Sequence, residues 1–180
     1  MLEAYNIDHF PLYTYKEYLK WDGRWELIDG IAYAMSPAPY PKHQRIVVQA
    51  WRELSESLDC TDCVVYVSPI DWKINESTVV QADVAVFCEN TSEQFFSKTP
   101  PLIIEVLSKS TALKDVTTKF SLYEQAGVKY YIIIEPESEI SDIFELIDGQ
   151  YELMKKITKN DLYNFDFERC TAVIDFGKLF

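Results

Sequence analysis

Two carboxylates stand inside apolar segments of this sequence. Asp83 is the only charged residue in segment 79–87, and Glu105 is the only one in segment 102–107. Burying an isolated carboxylate in an apolar interior costs on the order of several kcal/mol, so such a group pairs, accepts hydrogen bonds, takes up a proton or binds a metal ion. These two acids are therefore the first candidates for a functional site.

Two interpretations of these acids are open. In one, each carboxylate pairs with a basic residue at the end of its strand. In the other, the two strands are neighbours and both carboxylates point to one site, where strand alternation adds the amide oxygen of Gln81 on the face of Asp83. Oxygen ligands of this kind suit a hard divalent cation such as Mg²⁺. The presence of both acids in otherwise uncharged strands favours the second interpretation.

Lys119 is a candidate cationic partner for this site. It belongs to an expected helix over residues 112–125 and flanks the apolar stripe of that helix on the helical wheel. The stripe comprises Leu113, Val116, Phe120 and Tyr123. The ammonium group would either reach over the sheet toward Glu105 or pair on the surface with Asp115 at i, i+4. The spacing alone leaves both alternatives open.

The composition predicts one folded domain. The chain has 180 residues and a mass of 21.0 kDa, and 48% of its residues are hydrophobic. Lys+Arg 17 against Asp+Glu 29 gives a net charge of −12, which disfavours sequence-blind binding of a polyanion. No apolar run reaches the roughly 18 residues of a membrane span, and no secretory signal is visible at the N-terminus. We therefore expect a cytoplasmic protein.

The four cysteines give a weaker signal. Cys60 and Cys63 form a C-x-x-C pair that would suit one corner of a zinc site, whereas Cys88 and Cys170 stand alone in the sequence. A structural zinc site needs a second pair of ligands. The sequence therefore favours ordinary reduced thiols in a cytoplasmic protein over a zinc site.

The elements that must position the candidate residues alternate between helices and strands. A short helix at 13–21 precedes a β-hairpin at 24–35 that turns at Asp29-Gly30, and a helix follows from Pro41 to about Leu58. On that helix His43 lies near the middle of the apolar stripe and faces the sheet. The remaining core segments are strands at 63–74, 79–88 and 102–107, the helix at 112–125, and a strand at 129–134. A second hairpin at 144–153 repeats the residues ELIDG of 26–30 at 145–149. This order predicts one α/β sandwich.

Taken together, these segments resemble the bacterial Uma family of restriction endonucleases in the PD-(D/E)xK superfamily. The resemblance covers about residues 25–136, in order. It is carried by Glu26-Leu-Ile-Asp-Gly30, Met35-Ser-Pro-Ala-Pro39, Lys42-His-Gln44, Gln81-Ala-Asp83, Ile104-Glu-Val-Leu-Ser108, Asp115 with Lys119, and Tyr123-Glu-Gln-Ala-Gly-Val128.

The resemblance implies a fold: a restriction-endonuclease-like three-layer sandwich with a central mixed β-sheet flanked by helices, plus peripheral β-hairpins. It also implies a single domain over residues 1–180, with a core at about 13–136 and a peripheral extension at 137–180.

The resemblance further implies a site. Asp83 and Glu105 take the two acidic positions and would hold Mg²⁺ or Mn²⁺. The lysine of the E-x-K motif is replaced by Leu107, and Lys119 matches the helix position where the family carries a substitute. Glu26 and His43 match further family positions, with Glu26 either a third acid near the metal or a cross-strand hairpin residue. His43 is either a donor to one of the acids or a core histidine.

The implied function is a Mg²⁺-dependent DNA endonuclease that hydrolyses phosphodiester bonds and acts as a homodimer. The alternative is a non-catalytic interaction protein that retains the nuclease fold, which Leu107 and the net charge of −12 favour. A nuclease acting on RNA or on a structured DNA end is a third possibility. The sequence shows no Gly-rich phosphate loop.

Overall fold

The computed structural model describes residues 11–35, 40–89, 91–108, 112–158 and 160–180. The strands in these ranges are β1 (Trp25–Ile28), β2 (Ile31–Ala34), β3 (Val64–Val67), β4 (Asp71–Asn75), β5 (Thr78–Val80), β6 (Val84–Phe87), β7 (Phe95–Phe96), β8 (Leu102–Val106), β9 (Tyr130–Glu135), β10 (Ile140–Ile147), β11 (Gln150–Thr158), β12 (Leu162–Asp166) and β13 (Thr171–Asp175). The helices are α1 (Tyr15–Tyr18), α2 (Pro41–Ser57), α3 (Ala112–Lys114), a π-helical turn (Asp115–Lys119), α4 (Phe120–Gln125) and a 3-10 turn (Phe176–Lys178).

A mixed sheet forms the middle layer of the molecule. Within the described residues its strand order is β11-β10-β9-β8-β6-β3, with β8 and β9 parallel and the other neighbours antiparallel. Every residue of β6 and β8 is buried, and so is β9 apart from its last residue. Strands covered on both faces have continuous apolar sequences, so the predictions of buried strands at 102–107 and 129–134 are confirmed by β8 and β9, and β6 confirms the second half of the strand predicted at 79–88.

Different layers cover the two faces of this sheet. On one face α2 packs through Ile46, Ala50 and Leu54, together with Phe165 and Phe176 from the C-terminal segment. On the other face lie α4 and a second sheet of order β2-β1-β5-β4-β7. The three-layer α/β architecture is the predicted one. Among the described residues no helix is long and apolar enough to cross a bilayer.

The C-terminal extension contributes more to this core than its predicted peripheral position suggests. The hairpin β10–β11 lies at the edge of the central sheet, where β10 pairs with β9 from Ile140 to Glu145. Phe165, Phe176 and Leu179 have no exposed surface. Apolar residues in short strands and turns after residue 160 pack beside α2 and cover the rest of the same face of the sheet.

The two long strands predicted at 63–74 and 79–88 are each split in two. The chain leaves the central sheet after β3 and enters the second sheet as β4, with a cis peptide bond at Ser68-Pro69 between them. It returns from β5 to β6 through residues 81–83, where Ser68 N donates a hydrogen bond to the Asp83 carbonyl at 3.1 Å. Asp83 therefore lies at the junction of the two sheets and not within a strand.

The helix predicted at 112–125 is interrupted by the π-helical turn. Leu113 is 77% exposed and Val116 is 42% exposed, although both were assigned to the apolar stripe, while Asp115 and Lys119 are buried. A π turn bonds i to i+5 and so contains one residue more than an α turn. The extra residue rotates the first half of the predicted stripe away from the core.

The two ELIDG segments form the predicted hairpins. Both turns have positive φ at their two central residues, 50° and 79° at Asp29 and Gly30, and 49° and 82° at Asp148 and Gly149. Positive φ at both positions defines the type I′ turn that Asp-Gly favours.

The cysteines are arranged differently from the sequence-based expectation. Disulfide bonds join Cys60 to Cys170 and Cys63 to Cys88, so the thiols expected to be reduced are paired in this structure. Cys88 and Cys170 stand alone in the sequence, but the fold brings both to the C-x-x-C pair. Separations of 110 and 25 residues hide this proximity from local pattern analysis.

Candidate active site

Glu105 is the innermost acid of the candidate site. It lies on β8 between β6 and β9 and is 3% exposed. Its Oε1 atom accepts hydrogen bonds from Lys119 Nζ and from the Tyr123 hydroxyl, both at 2.8 Å. The cationic partner of Glu105 thus comes from the π-helical turn and not from the end of its own strand.

The ammonium group of Lys119 lies between two carboxylates. Its Nζ atom is 2.8 Å from Glu105 Oε1 and 2.9 Å from Glu26 Oε1, whereas Asp115 Oδ1 is 3.8 Å away. Of the two partners that the sequence left open, Glu105 is the nearer. Burial of Lys119, which is 2% exposed, lowers its pKa, but Glu105 and then Glu26 outweigh burial and raise the pKa well above the usual value. The side chain therefore carries a positive charge.

The π-helical turn explains how two lysines reach one carboxylate. Lys114 and Lys119 are five residues apart, and residues five apart point about 140° away from each other on a regular α-helix. In the π turn the two ammonium groups contact different oxygens of Glu26, Lys114 at Oε2 and Lys119 at Oε1. π turns occur frequently at functional sites because they redirect side chains in this way.

Glu26 holds this arrangement together from β1. Its side chain has no exposed surface, and its Oε1 atom also accepts a hydrogen bond from the Gln81 backbone N–H at 3.0 Å. Burial raises the pKa of Glu26, but Lys119 and Lys114 together outweigh burial and bring the pKa below its ordinary value. Glu26 is therefore ionised and pairs with both lysines. This role goes beyond the cross-strand hairpin contact that the sequence left open for Glu26.

Asp83 lies next to Glu105 at the edge of the same strand pair. Val84 is opposite Ile104 in the β6–β8 register, which puts Asp83 one step beyond that pair, beside Glu105. The Oδ2 atom of Asp83 accepts a hydrogen bond from Val106 N–H at 2.9 Å. The Asp83 side chain remains partly exposed, so a ligand from solvent can reach it.

His43 supports Asp83 from the first turn of α2. Its Nε2 atom is 3.3 Å from Asp83 Oδ2. Burial lowers the pKa of His43, but the hydrogen bond and the negative charge of Asp83 outweigh it, and the pKa is raised above its usual value. The Nδ1 atom is buried without a hydrogen-bond partner among the described residues. His43 is thus a partner of Asp83, the donor role that the sequence left open beside a core role.

Gln81 does not lie beside Asp83 in the way strand alternation suggested. Its side-chain oxygen accepts from Arg24 Nη2 at 3.1 Å, and its Nε2 atom donates to Asp71 Oδ1 at 2.8 Å. Residues 81–83 cross between the sheets, so the period of two does not apply to them. Gln81 instead contacts the site through its backbone, since its carbonyl lies 3.4 Å from Lys119 Nζ.

The cluster contains more acidic than basic side chains. When ionised, its four acids and two lysines have a net charge of −4 + 2 = −2; they are Glu26, Asp83, Glu105, Asp115, Lys114 and Lys119. Burial raises the pKa of Glu105 well above its usual value, and although Lys119 opposes this, the charges of Asp115, Asp83 and Glu26 add to it. A divalent cation would balance this charge.

The donor atoms fit a hard divalent cation. The hydrogen bonds described above use one oxygen of each carboxylate, Oδ2 of Asp83 and Oε1 of Glu105. The second oxygens of these neighbouring groups are the type of ligand that Mg²⁺ and Mn²⁺ prefer. A donor set of oxygens alone disfavours zinc at this position.

A surface pocket of about 380 Å³ adjoins the site on the side of His43. Lys42 and His43 contribute to one wall, and Glu135 and Glu137 contribute to another. Lys42 Nζ also lies 3.7 Å from Glu139 Oε1. The pocket therefore presents both basic and acidic side chains beside His43, the partner of Asp83.

Two members of the cluster, Lys114 and Tyr123, were not apparent as site residues from the sequence. Lys114 gave no signal, because a regular helix would direct it away from Lys119. Tyr123 was assigned to the apolar stripe, but a tyrosine at a core position carries a hydroxyl that needs a partner, and this signal could have indicated its bond to Glu105.

Comparisons with known proteins identify the family and the fold of the chain. The family model Uma2, described as "Putative restriction endonuclease", matches residues 15–164. Among curated proteins, the uncharacterized protein slr1290 of Synechocystis is 32% identical over 148 residues, which cover 77% of this chain and 77% of that protein. Among solved structures, a "putative nuclease belonging to DUF820" from Anabaena variabilis matches with a TM-score of 0.72 and 16% identity, over 92% of this chain and 96% of that one. This structural likeness shows a shared fold.

Proposed function

The chain belongs to the Uma2 family, and from that premise we propose that it is a Mg²⁺- or Mn²⁺-dependent endonuclease that hydrolyses phosphodiester bonds in DNA. The observation that carries the proposal is the juxtaposition of Asp83 and Glu105 with an ammonium group, that of Lys119, 2.8 Å from Glu105. Family and fold support a nuclease-like function; the metal and the substrate are part of our proposal.

Asp83 and Glu105 are the residues that would hold the metal ion. A bound divalent ion supplies charge stabilisation at a phosphate and lowers the pKa of water. His43 and the Val106 N–H fix the Asp83 carboxylate by bonding one of its oxygens. Tyr123 and Lys119 fix Glu105 in the same way, so both carboxylates are oriented before a ligand arrives.

Lys119 would orient the attacking water or stabilise negative charge on the phosphate. It occupies the role of the lysine that the E-x-K motif places at position 107, where this chain has leucine. A fixed cation needs no reorganisation during the reaction, which makes it an effective electrostatic catalyst. Glu26 acts as a positioning residue, since it contacts Lys119 and Lys114 and lies out of reach of solvent.

A homodimer completes the proposal, because cleavage of both DNA strands calls for two sites of opposite orientation. We also propose that the enzyme works in the cytoplasm, as expected from the sequence. Light scattering of the purified protein tests the dimer, and a monomer at micromolar concentration contradicts it.

A non-catalytic interaction protein with the same fold is the second candidate. The acidic residues of the pocket favour it, because Glu135 and Glu137, which line the pocket together with His43, repel a polyanion. Both proposals share the fold. They differ in whether Asp83 and Glu105 bind a metal ion and whether the protein cleaves DNA.

Conversion of supercoiled plasmid to nicked or linear DNA with Mg²⁺ or Mn²⁺ separates the two candidates. We expect cleavage by the unaltered chain, loss of cleavage with chelator and in D83N, and no loss in the control E145Q. Glu145 is a partly exposed residue of β10 outside the site. Absence of cleavage with either ion and any DNA substrate contradicts the enzyme.

Thermal unfolding with and without Mg²⁺ adds a binding measurement that does not depend on the right substrate. An ion at 100 times its dissociation constant stabilises the folded state by about 2.7 kcal/mol. We expect this stabilisation to disappear in D83N and to persist in E145Q. An unchanged melting temperature in the unaltered chain favours the interaction protein.

A further inference from the structure

All four cysteines of the chain converge on one place in the fold. Besides the Cys60–Cys170 and Cys63–Cys88 bonds, the sulfurs of Cys63 and Cys170 lie 3.4 Å apart. The sulfurs of Cys60, Cys63 and Cys170 are all within 4.8 Å of one another. Two disulfide bonds that only cross-link separate parts of the fold would not need to lie next to each other.

The cluster joins three segments that are distant in sequence. Cys60 and Cys63 follow α2, Cys88 directly follows β6, and Cys170 lies just before β13. In the sequence the C-x-x-C pair has no second pair of ligands, which disfavoured zinc. The fold supplies that second pair.

We propose that the reduced form of this cluster binds one Zn²⁺ ion through the thiolates of Cys60, Cys63, Cys88 and Cys170. Tetrahedral zinc with Zn–S bonds of about 2.3 Å holds its sulfurs about 3.8 Å apart. The Cys63 and Cys170 sulfurs are 3.4 Å apart, and the sulfurs of Cys60, Cys63 and Cys170 all lie within 4.8 Å of one another, so after reduction of the Cys60–Cys170 bond small movements give this spacing. The Cys88 sulfur, released from Cys63, is the fourth ligand.

The change from two disulfides to a zinc site has a defined balance. Each disulfide accepts two electrons and two protons from an external dithiol reductant, which becomes a disulfide itself. Both steps together break two S–S bonds and give four thiols. Zn²⁺ then displaces the four thiol protons to solvent and forms a site of net charge −2. A reducing cytoplasm favours this form, since protein disulfides are rare there.

The burial of the four residues fits a structural zinc site. Cys63 and Cys170 are buried in the main core, Cys60 is partly buried and Cys88 is exposed. An ion can therefore enter from the side of Cys88, while the opposite side of the cluster is fixed by packed apolar residues.

The zinc site lies apart from the proposed nuclease site. His43 is in the first turn of α2 and Cys60 follows its last turn, and a helix of 17 residues is about 25 Å long. Likewise, Asp83 immediately precedes β6 and Cys88 follows it. The zinc site would fasten the far ends of the two elements that carry His43 and Asp83, and would tie the C-terminal strands to them.

Metal content and thiol counting test the proposal directly. The full chain is purified in the presence of a reductant and without chelator, and its zinc is measured by elemental analysis. We expect one zinc ion per chain and four thiols that react with an alkylating agent only after zinc is removed. Replacement of zinc by Co²⁺ should give the thiolate-to-cobalt absorption of a tetrahedral sulfur site.

The matched variants are C63S and D62N. C63S removes a central ligand and should abolish stoichiometric zinc, whereas Asp62 lies in the same loop, is exposed, and should leave zinc binding unchanged when it becomes Asn. If C63S does not fold, addition of a chelator to the unaltered chain gives the same information, because loss of zinc should lower its melting temperature.

Two results would overturn the zinc site: no zinc in protein purified under reduction, or two intact disulfides in protein alkylated directly in acid-quenched cells. Neither result depends on DNA cleavage. The zinc site and the nuclease site can therefore fail independently.

Discussion

The pentapeptide Glu-Leu-Ile-Asp-Gly occurs at residues 26–30 and 145–149, and the two copies share a backbone but differ in surroundings. Each forms a two-residue turn between antiparallel strands with nearly equal φ angles. The first copy packs against α1, pairs with β5 and is buried except for Asp29, whereas the second is at most partly buried.

The difference shows which properties local sequence controls. Asp-Gly determines the turn in both copies, because both residues tolerate positive φ. The chemistry of the glutamate depends on its neighbours: Glu26 anchors Lys114 and Lys119, while Glu145 pairs in register with Tyr130 at a sheet surface. Paired substitutions in the two copies therefore separate the effect of surroundings from the effect of residue type.

The largest difference is expected at the glutamates. E26Q leaves two buried lysines without their anchor, and breaking a buried ion pair costs about 3–5 kcal/mol of the unfolding free energy. E145Q should change the unfolding free energy by less than about 0.5 kcal/mol, as is usual for a surface substitution. Urea unfolding of both variants measures the difference. Equal values would mean that the cluster around Lys119 contributes no stability.

The leucines give the next largest difference. Leu27 has no exposed surface, and L27A should cost about 2–5 kcal/mol because it opens a cavity in a packed region. Leu146 is only partly buried, so L146A should cost about 1 kcal/mol. Thermal and urea unfolding of both variants check this ordering, and a reversed ordering would show that the second hairpin is the better packed one.

A smaller difference is expected at the glycines. Alanine at either position pays about 1–2 kcal/mol for a left-handed backbone. G30A also brings a Cβ to 3.2 Å from Leu12 Cβ, whereas a Cβ at Gly149 meets nothing within 4 Å. The melting temperature of G30A should therefore fall below that of G149A. Equal melting temperatures would mean that the residues around Leu12 move away from the new Cβ without loss of stability.

The last and smallest effect concerns Glu26 alone and is a change of its contribution to stability at acid pH. The pKa of Glu26 in the folded protein lies below its ordinary value of 4.5, because the two lysines outweigh its burial. Its contribution to stability is therefore complete above that value and is lost as the pH falls through the folded-state pKa. The gap in unfolding free energy between the unaltered chain and E26Q should narrow toward acid. A gap that is constant with pH would contradict the lowered pKa.

The sequence revealed the parts of the fold that depend on local pattern. Continuous apolar runs indicated β6, β8 and β9, and Asp-Gly pairs indicated both hairpins. The pairing of Glu105 with Lys119 was one of two alternatives that the helical wheel allowed. These features depend on side-chain periodicity or on backbone preferences of single residues.

Other features depend on tertiary contacts and left no local signal. The crossing at residues 81–83 replaces a strand that looks continuous, because the segment pairs with two different sheets. The π-helical turn exposes Leu113 and buries Asp115, against the apparent apolar stripe. The cysteine cluster is assembled from residues up to 110 positions apart.

The π-helical turn also has a consequence for how such a site arises and is lost. A π turn contains one residue more than an α turn, so deleting one codon among residues 115–118 would restore a regular helix. In the shortened helix Lys114 and Lys119 would be four residues apart, about 40° on the helical wheel, so both could still face Glu26. A regular helix of unchanged length would instead separate them by about 140°. The spacing of five residues between the two lysines and the π turn therefore depend on each other, and a change in one without the other would turn a lysine away from Glu26.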